Sequence, residues 1–265
     1  GMVLPEDVYQ VTLDGVEPAI SDLYEWWRFD EGAGAFAGDS TRNGRHGTLE
    51  GPTWTTGRVG SGLSFDGLSN RVHLNIPDLA VPWTAAMWVK REDSSSADAR
   101  ITDSIGFPFG VSLRLEAYNS TNQLGYAIYG ALDRSYGVSA PVGTWTHVAF
   151  VGTSTGTSLY VNGALAATGP HTFSLSLAKI GSHGGNSMKG ALDDLRIYSK
   201  ALSASEIASI LAPDGAIRSA DGAVLDGDLA SQLPSGDGSE GGNLVATFTI
   251  SRRDAVVGGK SCGLL

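Results

Sequence analysis

The segment Asp39-Ser-Thr-Arg-Asn43-Gly-Arg-His46 gathers a carboxylate, an amide side chain and a glycine-loosened backbone within eight residues. Oxygen donors crowded into a short turn suit a hard cation, calcium above all, which takes roughly six to eight oxygen ligands. Far along the chain stands a second carboxylate pair, Asp193-Asp194. In a strand over 191–198, simple alternation puts Asp193 on the face of Leu195 and Ile197, toward a core, and a carboxylate there needs a cation or strong donors. Arg58 or Arg196 would serve that need as well as a metal, with Asp39 then merely capping a turn.

A different chemistry is open to Arg114, Glu116, Tyr129 and Arg134. The run from Phe109 to Glu116 alternates strictly, sending Phe109, Val111, Leu113 and Leu115 to a core and Ser112, Arg114 and Glu116 to a wet face. A pyranose has one apolar face and a rim of hydroxyls, so an aromatic ring beside planar hydrogen-bonding side chains is what binds it. Tyr129 supplies the ring; Arg114, Glu116 and Arg134 supply the polar groups. Hydrolysis of a glycosidic bond would need a second carboxylate across the sugar, and Glu116 has no acidic residue at 114 or 118. The five histidines, His46, His73, His147, His171 and His183, lack the spacing of a zinc site. These residues point to binding and not to an enzyme.

Composition narrows the ligand. The 265 residues carry 28 acidic against 18 basic side chains, a net charge of −10, which repels nucleic acid and anionic membranes and leaves a cation or a sugar as the better partner. Cys262 is the sole cysteine, so no internal disulfide can form and packing, alone or with a metal, must hold the fold. No apolar run reaches membrane-spanning length, so no membrane insertion is expected, and Gly1-Met2-Val3-Leu4-Pro5 lacks the pattern of a secretion signal.

The elements that must carry these residues are short strands. Runs rich in Val, Ile, Thr and aromatics fall between frequent Gly and Pro, predicting strands at 24–29, 62–66, 71–74, 83–90, 99–105, 109–117, 123–130, 145–152, 158–162, 164–168, 177–181 and 191–198. Asn162-Gly163 predicts a tight hairpin, since both residues accept positive φ. One helix is expected from about Ala204 to Leu211, with Ser203 and Glu206 as a capping box and Leu202 with Ile207 as a hydrophobic staple. After Pro213 the composition turns to Gly, Asp and Ser, too polar to order itself, with one alternating stretch, 243–250, that could add a strand to the main sheet or to a partner, a second copy included. The domain is thus placed at 21–212, between an N-terminal segment, 1–20, and a tail, 213–265.

In this order the motifs resemble a known family. They are Trp27-Arg-Phe-Asp-Glu-Gly-Ala-Gly34, the Asp39–Leu49 loop, Gly57-Arg-Val-Gly-Ser-Gly-Leu-Ser-Phe-Asp-Gly67, Trp83-Thr-Ala-Ala-Met-Trp-Val-Lys90, Gly143-Thr-Trp-Thr-His-Val-Ala-Phe150, Leu159-Tyr-Val-Asn-Gly163 and Gly190-Ala-Leu-Asp-Asp-Leu-Arg-Ile-Tyr198. Together they resemble the laminin-G-like, concanavalin A-type jelly rolls. The resemblance implies an all-β fold, a two-sheet antiparallel jelly-roll sandwich with one short helix after the last strand. It also implies a structural calcium ion linking the loop bearing Asp39, Asn43 and His46 to Asp193 and Asp194. Related glucanases carry their catalytic carboxylates as Glu-x-Asp-x-Glu on one strand, a spacing this chain lacks.

Fold alone does not assign function, because such sandwiches serve as lectins, adhesion modules and enzymes. The expected function is a non-catalytic, calcium-stabilised carbohydrate-binding or adhesion module that takes a glycan or a cell-surface protein, located extracellularly or at a cell surface. A structural part of a secreted, envelope or virion assembly is the alternative, and a glycoside hydrolase a more distant one.

Overall fold

The computed structural model describes residues 22–41, 43–92, 99–104, 110–117, 122–181 and 187–211. The expected N-terminal segment, the tail and its 243–250 strand lie outside the described residues, as do Phe109 and His183. All described residues fall within one compact unit, Gly15–Asp214.

In chain order the strands are β1 (Leu23–Trp27), β2 (Phe36–Ala37), β3 (Gly47–Glu50), β4 (Thr53–Thr56), β5 (Ser61–Asp66) and β6 (Arg71–His73). There follow β7 (Trp83–Arg91), β8 (Thr102–Asp103), β9 (Val111–Arg114), β10 (Gly125–Ile128) and β11 (Leu132–Ser135). The chain then runs through β12 (Trp145–Thr153), β13 (Gly156–Val161), β14 (Ala164–Gly169), β15 (Lys179–Gly181) and β16 (Lys189–Tyr198), ending in helix α1 (Ala204–Ser209). Each expected strand is present. The four short ones not anticipated, β2, β3, β4 and β11, carry sequences such as Thr-Trp-Thr-Thr and Leu-Asp-Arg-Ser, whose outer positions are too polar to alternate visibly.

Antiparallel pairing builds a back sheet in the order β14-β13-β12-β7-β16-β5-β4, with β1 sharing the β5 side of β16. The front sheet is β2-β3-β6-β15-β8, continued by β9-β10-β11. Those two parts are joined where Ile101 N donates to Leu113 O at 2.8 Å and Leu115 N to Ala99 O at 2.8 Å, with Arg100 paired to Arg114. The fold is therefore the two-layer antiparallel jelly-roll sandwich expected. Between the sheets lie Trp27, Phe65, Met87, Leu113, Phe150 and Ile180, all buried. Residues adjacent to these along each strand must face outward, and on the front sheet they form the surface described below.

The β13–β14 hairpin turns on Asn162 (φ 47°) and Gly163 (φ 80°), the positive-φ pair its sequence predicts. Helix α1 packs on the back sheet's outer face, where Leu202 and Ile207 join Ala86, Ala149, Val151 and Tyr198 in a separate apolar cluster. Its capping box is complete: Glu206 N donates to Ser203 Oγ, and Ser203 N donates to Glu206 Oε2 at 2.7 Å. Lys200 reinforces it at 2.6 Å and, with the Ser203 donors, pushes the Glu206 carboxyl down to about 2. Replacing Ser203 by Ala is expected to cost about 1 kcal/mol, read as a lower midpoint in urea unfolding. An unchanged midpoint would mean that the apolar staple alone holds the helix.

Candidate functional site

Pairing across the front sheet fixes which side chains share its outward face. Thr48 lies opposite His73, His73 opposite Lys179, and Lys179 opposite Asp103. Arg71 lies opposite Glu50, while Arg100 faces Arg114, which in turn faces Gly125. Ile180, Val72 and Leu113, the alternate residues, point into the core. The result is a continuous polar surface on the side of the sheet away from the core.

Its centre is a linked set. Tyr129 Oη donates to Asp103 Oδ1 at 2.6 Å, and Arg100 Nη1 reaches Asp103 Oδ2 at 2.9 Å. The Arg100 guanidinium lies 5.4 Å from the centre of the Tyr129 ring, within cation–π range. Arg114 Nε donates to Ser112 Oγ at 2.8 Å, and its Nη1 stands 3.3 Å from Asp133 Oδ1. Burial pushes the Tyr129 hydroxyl up to about 12, so it remains a donor at every working pH. At one end Arg71 and His73 clasp Glu50, and their hydrogen bonds, His73 first, hold its carboxyl below the usual range.

Of the expected sugar-binding residues, Arg114 and Tyr129 meet here and Glu116 and Arg134 do not. Ser112 and Arg114 face away from the core as expected, but Arg114 is only 3% exposed, so this is a packed polar surface and not a freely solvated one. Strand β9 ends at Arg114; beyond it Glu116 turns inward, wholly buried, accepting from Arg91 Nη1 at 3.0 Å and from the Asn122 amide. Arg134 pairs opposite Tyr126, a core residue, and so projects from the other face of its strand. Asp103, Arg100 and Lys179 were missed. Their signal was present in Lys179 next to core Ile180 and in the i, i+3 spacing of Arg100 and Asp103.

The carboxylates expected to share a calcium ion engage separate partners. Asp39 accepts from Thr41 N at 2.8 Å, Thr41 Oγ1 and Arg45 N at 3.2 Å, and these donors hold its carboxyl below the usual value against the opposing effect of burial. His46 Nδ1 accepts from Asp39 N, and Asn43 Nδ2 donates to Tyr24 O. Asp193 Oδ2 accepts from Arg58 N at 2.7 Å and Val59 N at 3.0 Å. Among the described residues no three carboxylate, histidine or cysteine groups converge on a metal position. A bridge from the Asp39 loop to Asp193 therefore does not fit.

Asp193 also lies on the opposite face from the one alternation gave it. Asp194 adopts φ 50°, and the register slips between Asp193 and Arg196, a bulge that adds one residue. Asp193 thereby pairs with Trp88 on the outer face while Leu195 returns to the core. It is nonetheless buried, and burial pushes its carboxyl up to about 7. Asp194 accepts from Trp26 Nε1 and Arg196 Nε. Trp26 and Trp88 are half-buried on this outer face, with Arg28 and Arg196 over Trp26 and Arg58 over Trp88.

Glu25, fully buried, pairs with Arg45 through Oε1, while its Oε2 has no hydrogen-bond partner. Burial, with the charge of Asp39 adding to it, raises the Glu25 carboxyl to about 7.

A family model for the concanavalin A-like lectin/glucanases superfamily, Laminin_G_3, matches residues 66–208. The chain belongs to this superfamily. A search of curated proteins finds no match. Among solved structures, domain 4 of AbnA, a GH43 extracellular arabinanase from Geobacillus stearothermophilus solved with arabinotriose, is similar over 71% of this chain and 98% of its own, at 22% identity and TM-score 0.59. Trypanosoma rangeli sialidase with the inhibitor DANA is similar at 17% identity and TM-score 0.54, covering 79% of this chain and 34% of the sialidase. The binding domain of Paraclostridial Mosquitocidal Protein 1 follows at 15% identity and TM-score 0.52, over 72% of this chain and 52% of that one. At these identities the superfamily's fold is what is shared. Members of the superfamily include lectins and glucanases alike, so function rests on this chain's own surface.

Proposed function

We propose that the chain is a non-catalytic carbohydrate-binding module whose sugar site is the outward face of the front sheet around Tyr129, Arg114, Arg100 and Asp103. The observation that carries it is the half-buried Tyr129 ring, fixed by Asp103 and flanked by two guanidinium groups on a surface otherwise made of hydrogen-bonding side chains. A ring held in this way presents an apolar platform to a pyranose without paying to order itself. Sugar binding by domain 4 of AbnA, solved with arabinotriose, supports the same use of the fold.

Against hydrolysis stands the state of the carboxylates on this face. Glu50 is tied to Arg71, Asp103 to Arg100 and Asp133 to Arg114, whereas a general acid must keep its proton near neutral pH. The stretch Gly152-Thr-Ser154-Thr-Gly156 spells the pattern of a serine nucleophile. It forms the turn between β12 and β13, not a strand-to-helix elbow, so it argues for no hydrolase.

The test is a calorimetric titration with arabino-, galacto- and gluco-oligosaccharides, for which dissociation constants of roughly high micromolar to millimolar are expected, as shallow sites give. Tyr129→Ala should abolish binding. It should also lower stability by about 1–2 kcal/mol, because Asp103 loses a buried donor. Tyr129→Phe keeps the platform and should retain binding within a few-fold. Unaltered sugar binding in Tyr129→Ala would remove the site from this face.

A further inference from the structure

We infer that β14 is a self-association edge: two copies of the chain pair their β14 strands antiparallel across a two-fold axis and join their back sheets into one. Strand β14 closes one end of the back sheet and has a single neighbour, β13. Among the described residues no other element hydrogen-bonds to its outer side. Alternate residues of such a strand direct N–H and C=O groups sideways, where a further strand can take them. Its side chains Ala164, Leu165, Ala166 and Thr168 are exposed, and Leu165 is 56% exposed. Folds ordinarily guard free edges with charge, proline or brevity. Strand β11 carries Asp133 and Arg134, β2 has two residues, β4 has four, and the outer side of β1 is taken by Asp39 and Ser40. Strand β14 has six residues, none of them charged and none a proline.

Charge identifies the occupant as a second copy. Residues 135–178 contain no Asp, Glu, Lys or Arg, so all 28 acidic and 18 basic side chains lie outside the stretch that supplies β12, β13 and β14. A net charge of −10 makes two copies repel one another. That repulsion is weakest where both present this uncharged end, because exposed charges act over only about 8 Å at physiological salt. Helix α1 lies beside the hairpin end of β14, where Leu211 approaches Gly163, and its Glu206 is already paired with Lys200 at 2.6 Å.

Geometry favours the same occupant. Leu159 pairs with Ala167 but Tyr160 with Leu165, which leaves Ala166 as an extra residue whose bulge adds twist to the edge. A regular strand does not follow that twist, whereas a second β14 carries it identically and an antiparallel two-fold matches it to itself. Leu165 lies opposite Tyr160, which packs on the apolar cluster beside α1, so the two Leu165 side chains extend that cluster across the seam. A six-residue seam is about 20 Å long, at the small end of specific interfaces, and association is expected to be half complete at roughly tens to hundreds of micromolar chain. Because β14 belongs to the back sheet, the outward face of the front sheet stays open in both copies. With the carbohydrate-binding function proposed above, the dimer carries two sugar sites, but the pairing itself does not depend on that function.

Sedimentation equilibrium of the full chain reads the association, with reductant present so that Cys262 cannot link copies. The average mass should climb from the monomer toward twice that value as concentration rises through the range given. Raising salt from about 50 to about 500 mM should leave the association constant unchanged or increase it, since salt screens the repulsion and no ion pair crosses the seam. Leu165→Lys sets two ammonium groups close together across the axis and should weaken association about tenfold or more. Thr168→Lys, at a second exposed position, should act alike and keeps the test decisive if the first variant has a lower thermal midpoint as a monomer. Amide exchange along β14 should slow as concentration rises. A chain that stays monomeric to millimolar concentration overturns the inference, and so does a dimer that both lysine variants leave intact, that high salt dissolves, or whose β14 amides exchange no more slowly than the monomer's. Sugar binding is read separately by the titration described above, so the failure of either proposal leaves the other standing.

Discussion

Glu116→Ala is expected to destabilise the protein by about 3–5 kcal/mol, the largest single-residue loss foreseen for this fold. Glu116 is fully buried and Arg91 nearly so, and they meet at 3.0 Å. Arg91 also donates to the carbonyls of Leu115 and Asn122, and the Asn122 amide donates to Glu116, so one ion pair fastens both ends of the connection from β9 to β10. Removing the carboxylate alone leaves a guanidinium buried without its counter-charge. The cost of that, and not the worth of the pair, sets the magnitude. Removing both charges, as Arg91→Met with Glu116→Leu, should recover a substantial part of the loss. Chemical unfolding of the two single variants and the double variant forms the cycle that measures it. Sugar affinity of the folded fraction should not move, because Glu116 does not reach the outward face. If Glu116→Ala folds like the parent and loses sugar binding, Glu116 is a ligand residue after all.

Glu116 also marks where sequence reasoning stops. The alternation from Val111 to Arg114 holds residue by residue, and it correctly sends Arg114 away from the core. Alternation carries no signal for where a strand ends, and Glu116 falls two residues past the end of β9. The Asp194 bulge is the same kind of failure. One inserted residue reverses the facing of everything before it, so Asp193 is assigned to the wrong side although Leu195 and Ile197 are assigned correctly. Local chemistry, by contrast, was legible wherever it is completed within a few residues, as at Asn162-Gly163 and in the Ser203–Glu206 box. The Tyr129–Asp103–Arg100 set is assembled from residues up to 29 positions apart, held together by the β8, β9 and β10 neighbourhood. The i, i+3 spacing offers the Arg100–Asp103 pair and residue type offers Tyr129, but no spacing rule reaches across the distance between them, so their meeting could not be proposed.

Below neutral pH, the stability of the fold is expected to fall in a way that depends on His147. This imidazole is almost fully buried on the outer face of the back sheet, edge-on to Trp88 at 5.3 Å, and burial, with the charge of Arg196 adding to it, pushes it down to about 3. In the unfolded chain a histidine titrates near about 6.5. Between those two values the unfolded state takes up a proton that the folded state refuses. The contribution of His147 is therefore complete above about pH 6.5 and is lost as pH falls toward about 3, at up to roughly 1.4 kcal/mol per pH unit. Glu25 and Asp193, held up at about 7, act in the opposite sense, since folding favours their protonated forms and their contributions are lost as pH rises through that value. Wild-type unfolding alone would mix the two trends, but the difference between wild type and His147→Phe isolates one of them. Phenylalanine keeps the edge contact with Trp88 and removes Nδ1, which has no hydrogen-bond partner in the fold. From pH 7 to about pH 4.5 the variant should gain on the wild type by on the order of 2 kcal/mol or more, measured by urea unfolding at each pH. A difference that stays constant across that range would mean that the folded protein protonates His147 as readily as the unfolded chain does, and that its surroundings open to water on acidification.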